Sequence, residues 1–249
     1  MSAARTSNLP DVIERYRKLE SALVYDCLDS MGLPHQQLSL DIQPLDPDFV
    51  LAGEAFTTKS TVSEAGDRVK TERLEIDSSR YRMLDEMYQG CVLIEDVGND
   101  PVSGGLGENM GLSVRVKGAV GVVCDGGTRD KKALIKAGFP VFSRFSSMTF
   151  SRNRRRFLDY EIPVRLSGHL TKWVTVHPGD FVFGDADGIL VVPNELTAEM
   201  LEAAERVQEH EEHQREQLAA GVPRREVYKL DRYAHCRRLS PEEVARYTA

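Results

Sequence analysis

Two short stretches carry the side chains best suited to chemistry: Gly107-Glu108-Asn109-Met110 and Arg129-Asp130. A guanidinium can grip a carboxylate through two parallel N–H donors. Two carboxylates, here Glu108 and Asp130, can hold Mg²⁺ directly or through water, because this ion keeps several of its waters. Each stretch leads into the start of a helix, where unpaired amide N–H groups suit a carboxylate or phosphate. Each also follows an apolar run, Cys91–Asp96 in one case and Ala119–Cys124 in the other. If those runs are parallel strands, both stretches open on the carboxyl edge of the sheet, where ligands bind in open α/β folds. The combination points to a metal-assisted reaction on a small oxo acid.

Simpler readings compete at each position. Asp130 by itself reads as a cap for a helix starting at Lys131, and Arg129 by itself as a surface residue. Their coincidence with Glu108 on one edge favours a site. Gly105-x-Gly107-x-x-x-Gly111 lacks the spacing of a dinucleotide loop and has no acidic ribose partner. His210 and His213 stand three apart, whereas the zinc motif H-E-x-x-H needs four, so a solvated helix face is the reading there. His177 falls in a turn, Asp185 and Asp187 read as turn residues, and the basic run Arg152–Arg156 reads as surface or as a contact for an anionic partner.

The elements that would position the two stretches follow from pattern. Pro10 to Gly32 reads as one helix, with Val12, Tyr16, Leu19, Leu23 and Leu28 on its stripe. Leu51–Ser60 reads as a strand, and residues 64–88 become helical toward their end. Then comes a β-loop-α-β-loop-α-β series: strand Cys91–Asp96, loop, helix Glu108–Lys117, strand Ala119–Cys124, turn Asp125–Thr128, helix Lys131–Ala137, and a strand from Pro140. Such a series implies parallel strands with right-handed crossovers. Tyr160–Leu170 and Lys172–Val176 read as strands. Asp180–Phe183 and Ile189–Val192 form a hairpin whose tight turn is Asp187-Gly188. Leu196–Ala220 is a long helix, and the charged, aromatic tail reads as a docking arm.

A chain of 249 residues is read as a single domain. Its formal charge of −7 disfavours broad nucleic-acid binding, which needs a basic face. The four cysteines are scattered, with no C-x-x-C pair, so neither a disulfide framework nor a zinc site is expected; Cys91 and Cys124 read as buried, inert thiols. The polar start Met1–Pro10 and the lack of a run of about 18 apolar residues suggest no signal peptide and no membrane span, and most simply a cytoplasmic protein.

Four segments together resemble one family. Gly118-Ala-Val-Gly-Val-Val-Cys-Asp-Gly-Gly-Thr-Arg-Asp130 is similar to the signature joining the 4-hydroxy-4-methyl-2-oxoglutarate aldolases and the regulator of RNase E activity A, the RraA-like family. Leu23-Val-Tyr-Asp-Cys-Leu-Asp-Ser-Met-Gly32, Gly53-Glu-Ala-Phe-Thr57 and the segment Pro178–Pro193 resemble its first helix, first strand and late hairpin. The likeness runs through about residues 20–223, leaving 224–249 as a C-terminal extension. It implies an α-β-β-α sandwich of the swivelling β/β/α type with a long C-terminal helix, assembled as a trimer or a dimer of trimers. The activity it implies is a class II type pyruvate aldolase that cleaves a 4-hydroxy-2-oxo acid, with oxaloacetate decarboxylation on the side. By the same resemblance, Asp130 binds Mg²⁺ or Mn²⁺ directly, and Glu108 and Glu211 act through bound water. Arg129 binds substrate and stabilises an enolate, and the amides after Gly107, at Asn109 and Met110, hold the pyruvyl carboxylate. Glu211 is assigned to the site of a neighbouring subunit. It lies on the helical seam of Met200, Ala204, Val207 and Gln214, whereas Glu212 does not, although this helix also carries several solvated glutamates. The alternative is a non-catalytic regulator that binds an RNA-processing protein.

Overall fold

A computed structural model describes residues 6–62, 79–152, 154–229 and 231–248. Its elements, in order, begin with helices α1 (Leu9–Tyr16) and α2 (Ser21–Met31), strands β1 (Gln43–Pro44) and β2 (Leu51–Val62), and helix α3 (Ser79–Glu86). Then follow β3 (Cys91–Asp96), β4 (Gly104–Leu106), α4 (Glu108–Val116), β5 (Gly121–Thr128), α5 (Lys131–Lys136) and β6 (Val141–Ser146). The last part holds β7 (Arg155–Tyr160), β8 (Val164–Ser167), β9 (Trp173–Val176), β10 (Phe181–Asp185), β11 (Gly188–Val192), α6 (Thr197–Ala219), α7 (Arg224–Val227) and α8 (Pro241–Thr248). The main sheet runs β1-β6-β5-β3-β2-β10-β11, with β4 beside β5 and β7 beside β2; β8 and β9 pair separately. As the βαβ pattern required, β2, β3, β5 and β6 are mutually parallel.

Side-chain alternation along these strands sorts the apolar residues into layers. One face of the sheet, with Leu51, Ile94, Phe142 and Val182, packs on Val164, Leu166, Val174 and Val176 of the β8–β9 hairpin. The opposite face is covered by two groups of helices. Over β10 and β11, Phe181, Phe183 and Leu190 pack with α1, α2 and α6. Over β3, β5 and β6, Leu93, Val122 and Val141 pack with Met83 of α3, Val114 of α4 and Leu134 of α5. The main sheet is nearly closed around the first of these faces, so the two helix groups lie outside two inward-facing β layers, the expected α-β-β-α arrangement.

Several expectations are corrected. The helix expected over 10–32 is two helices. Asp185, at the end of β10, accepts hydrogen bonds from the Ser21 amide at 2.8 Å and the Ser21 hydroxyl at 2.6 Å, which starts α2 afresh. Gly32 ends α2 as expected, in the left-handed region at φ 102°. Asp125–Thr128 is the end of β5 rather than a turn, with an irregularity in its register against β6 between Cys124 and Gly127. Gly104–Leu106 is a short strand rather than part of a loop. The strand expected over 160–170 is two, β7 ending at Tyr160 and β8 starting at Val164. Of the stretch expected to turn helical toward residue 88, α3 is the described part; residues 63–78 lie outside the described residues. The tail docks on its own chain: Tyr233 donates to Asp26 of α2, and the Leu239 amide donates to the Met31 carbonyl at 3.0 Å.

Candidate active site

The two stretches singled out in the sequence meet. Leu106 pairs with Thr128 across β4 and β5, and the Arg129 amide donates to the Leu106 carbonyl at 2.8 Å. That register sets Gly107 and Glu108 directly against Arg129 and Asp130. Asp130 adopts a left-handed conformation, φ 56° and ψ 32°, which Asp tolerates better than most residues. Its side chain does not cap its own helix, α5. The carboxylate instead crosses to the other stretch, where Oδ2 accepts the amide N–H of Glu108, the first residue of α4, at 3.1 Å. Asp130 is thus a cap, but of the helix opposite. Its Oδ1 takes no partner among the described residues.

Gly107 makes this approach feasible. A β-carbon there would lie 2.8 Å from Arg129 Nε and closer still to Asp130 Oδ2. Gly111 is the first residue of α4 to bond back along the helix, to the Gly107 carbonyl at 2.9 Å. The amides of Asn109 and Met110 precede it in the exposed first turn, where helix amides lack intrahelical acceptors. The residue before them, Glu108, is the one whose amide bonds to the Asp130 carboxylate.

Arg129 is held in an unusual way. Its guanidinium lies over the ring of Phe150, with Cζ 4.5 Å from the ring centroid. Its Nε is buried with no hydrogen-bond partner, and it stands 3.7 Å from Asp130 Oδ2, within ion-pair range but too far for a hydrogen bond. Arg129 and Asp130 form one wall of a cleft of about 250 Å³, completed by Ser146, Ser147 and Met148 at and just beyond the end of β6. The volume lies just below the usual range for drug-sized ligand pockets, which leaves room for a small metabolite only. Among the described residues no cluster of three or more His, Cys, Asp or Glu side chains is placed to hold a metal ion.

Glu211 is not brought to this cleft within one chain. It lies on α6, in the other helix group, and its carboxylate pairs with Arg232 at 2.5 Å and Arg215 at 3.4 Å. Its position on the packed seam is as the helical period indicated: Glu211 is half-buried and Glu212 is exposed. Cys91 and Cys124 are buried and form no disulfide among the described residues, and burial pushes the Cys124 thiol well above its usual range, in keeping with an inert role. His177 and Asp185 are turn and capping residues, as their context suggested.

The sequence profile of the RraA-like family, described as Aldolase/RraA, matches residues 21–191. The chain belongs to the RraA-like family. A Thermus thermophilus relative named 4-hydroxy-4-methyl-2-oxoglutarate aldolase is 27% identical over 154 residues, covering 61% of this chain and 90% of that protein. Protein DlpA of Legionella pneumophila is 24% identical over 216 residues, covering 87% of this chain; the chain matches only 33% of the length of DlpA. In fold, a Streptomyces coelicolor member of the RNase ES inhibitor RraA protein family superposes with a TM-score of 0.70 at 22% identity, over 86% of this chain and 98% of its own. No helix among the described residues is long and apolar enough to cross a membrane.

The residues that sequence reasoning missed are Ser146, Ser147 and Met148, which line this RraA-like cleft, and Phe150, which lies against Arg129. A signal was available. They lie at and just beyond the end of β6, the last strand of the parallel series, and the same carboxyl-edge rule that selected Glu108 and Asp130 applies to that strand as well.

Proposed function

We propose that this chain is a divalent-metal-dependent lyase that cleaves a 4-hydroxy-2-oxo acid to pyruvate and also decarboxylates oxaloacetate. The observation that carries the reading is the pairing of Asp130, anchored through Oδ2 with Oδ1 unclaimed, with Arg129, whose side chain has no hydrogen-bond acceptor among the described residues. An unclaimed carboxylate oxygen and an unclaimed guanidinium edge, side by side at a small cleft, form a site for an oxyanion and a hard cation.

The residues fit Mg²⁺ or Mn²⁺ of the kind that takes one or two carboxylates and fills its shell with water. Asp130 would bind the ion directly, with Glu108 and a neighbouring subunit's Glu211 acting through its waters. Bound there, the ion would polarise the 2-oxo group and acidify a water molecule. The amides of Asn109 and Met110 receive the substrate carboxylate, at a helix start that favours negative charge. The acidic pair Glu108 and Glu211 orients a water that takes the proton of the 4-hydroxyl. The electrons of that O–H bond form the new carbonyl at C4, and the C3–C4 bonding pair moves toward the 2-oxo oxygen. Arg129 donates to the enolate oxygen where this charge gathers. Protonation at C3 then gives pyruvate. Oxaloacetate reaches the same enolate by losing CO₂. The proposed assembly is a trimer or a dimer of trimers with the site at a subunit boundary.

The test is pyruvate release from oxaloacetate and from a panel of 4-hydroxy-2-oxo acids, with and without EDTA. Activity that falls with EDTA and returns with Mg²⁺ or Mn²⁺ is expected, with Asp130→Asn folded but inactive. A wild type inactive on every substrate, or an Asp130→Asn enzyme that is active and indifferent to EDTA, would overturn the reading. A non-catalytic regulator of an RNA-processing partner would be the alternative left standing.

A further inference from the structure

The reading above leaves open what orients Arg129. A long side chain that has no hydrogen-bond acceptor, and whose one carboxylate neighbour is 3.7 Å away, has little to fix its direction. What covers it is the Phe150 ring. Phe150 is a large apolar residue left 43% exposed at the rim, so burial of the ring does not account for its position. The backbone beside it is tied down on both sides of the cleft. The Gly104 amide donates to the Thr149 carbonyl at 2.8 Å, and Gly104 and Phe150 form a parallel bridge. The Ser147 amide donates to the Thr128 carbonyl at 2.8 Å, one residue before Arg129. Arg154 Nη1 donates to the Phe150 carbonyl at 2.9 Å. Segment 147–150 is therefore stitched to the strand before Glu108 and to the strand before Arg129, and it presents one aromatic face to the guanidinium.

We infer that Phe150 is a positioning residue for Arg129. The ring attracts the flat cationic group through its negative face. It occupies one face of the guanidinium and leaves the in-plane N–H edge available to the cleft. That edge is what a bidentate contact to a carboxylate or enolate requires. The inference rests on the proposed role of Arg129 but concerns a residue that the resemblance assigns no role.

The test compares Phe150→Leu, Phe150→Tyr and Phe150→Trp. Leucine keeps apolar bulk and loses the ring face; tyrosine and tryptophan keep the face, and tryptophan attracts a cation most strongly. Two quantities are read: the Kd for oxalate, a planar enolate mimic, by calorimetry in the presence of Mg²⁺, and kcat and KM for pyruvate release. Phe150→Leu should weaken oxalate binding by about 2- to 30-fold, the span that corresponds to a cation–ring contact. Phe150→Tyr should stay near wild type, and Phe150→Trp should match or exceed it. In an Arg129→Ala background the same three changes should be silent. Equal Kd values for leucine and tryptophan, or an unchanged leucine effect without Arg129, would overturn the inference while leaving the lyase reading intact. A wild type that binds oxalate as expected yet turns over no substrate would overturn the lyase reading alone. A wild type that neither binds oxalate nor releases pyruvate would overturn both.

Discussion

A single methyl group on Gly107 is expected to disable the cleft without straining the backbone. Gly107 has φ −126° and ψ −175°, an extended conformation that alanine adopts freely. The added carbon would sit 2.8 Å from Arg129 Nε and closer still to Asp130 Oδ2. Comfortable contact for a carbon is nearer to ~3.5 Å, so both side chains must retreat by roughly 1 Å. Asp130 Oδ2 is 3.1 Å from the Glu108 amide, and a displacement of that size carries it out of hydrogen-bond range. A hydrogen bond to a charged group contributes ~1.5–3 kcal/mol, but the Asp130 side chain is 45% exposed and water offsets much of the loss. A net cost of about 1 kcal/mol lowers Tm by about 2–4 °C for a chain of this size. The rate should suffer far more, since a misplacement of about 1 Å costs on the order of 10²-fold. Gly107→Ala should thus melt near wild type while kcat/KM for pyruvate release, followed through lactate dehydrogenase and NADH, falls about a hundredfold. Full activity in a protein that melts normally would show that Asp130 and Arg129 do not work from the positions described.

Arg129→Lys keeps the charge but loses the planar pair of donors and should reduce kcat/KM by on the order of 10²-fold; unchanged kcat and KM would mark Arg129 as a surface charge. If Glu211 serves a neighbouring subunit, Asp130→Ala and Glu211→Ala should each be impaired alone, yet co-refolding the two should restore partial pyruvate release in proportion to mixed oligomers. Verified mixed oligomers with no recovery, given an impaired Glu211→Ala, would confine the site to one chain. The Arg15 guanidinium, bonded to Glu205 at 2.6 and 2.8 Å, holds that carboxyl below its usual value of 4.5. A lowered folded pKa gives stability that is complete above 4.5 and fades as pH drops toward the folded value. The Tm gap between wild type and Glu205→Gln should therefore be widest at neutral pH and close below about pH 4.5; a gap independent of pH would contradict this.

The parallel strands were legible because strands buried on both faces read as short apolar runs, as in Cys91–Ile94 and Val122–Cys124. The meeting of Glu108 with Asp130 followed from putting their loops on one sheet edge. What stayed hidden was long-range. The break between α1 and α2 depends on a cap from Asp185, 164 residues away, which no local pattern reveals. Asp125-Gly126-Gly127 has the composition of a turn, yet its glycines leave room for Val97 and Phe145 to close on a continuing strand. Small size was the requirement, and composition alone cannot distinguish that from a need to bend. Asp130 stands where a cap for α5 would, yet its side chain caps α4.

The crowding at Gly104, Gly105 and Gly107 bears on how such a site can diversify. A side chain at Gly104 would run into the backbone of Ser147 and Thr128, one at Gly105 into the guanidinium of Arg155, and one at Gly107 into Asp130 and Arg129. This wall cannot change its shape by point substitution without displacing the backbone of the cleft, the Arg155 guanidinium or, at Gly107, the groups proposed to do the chemistry. On the opposite wall the Met148 side chain is under no such constraint, since Met148 lines the cleft and is 97% exposed. New substrates are thus expected to be acquired by rewriting residues 146–148, and a library randomised there should yield altered preferences where one randomised at 104–107 yields mostly dead protein.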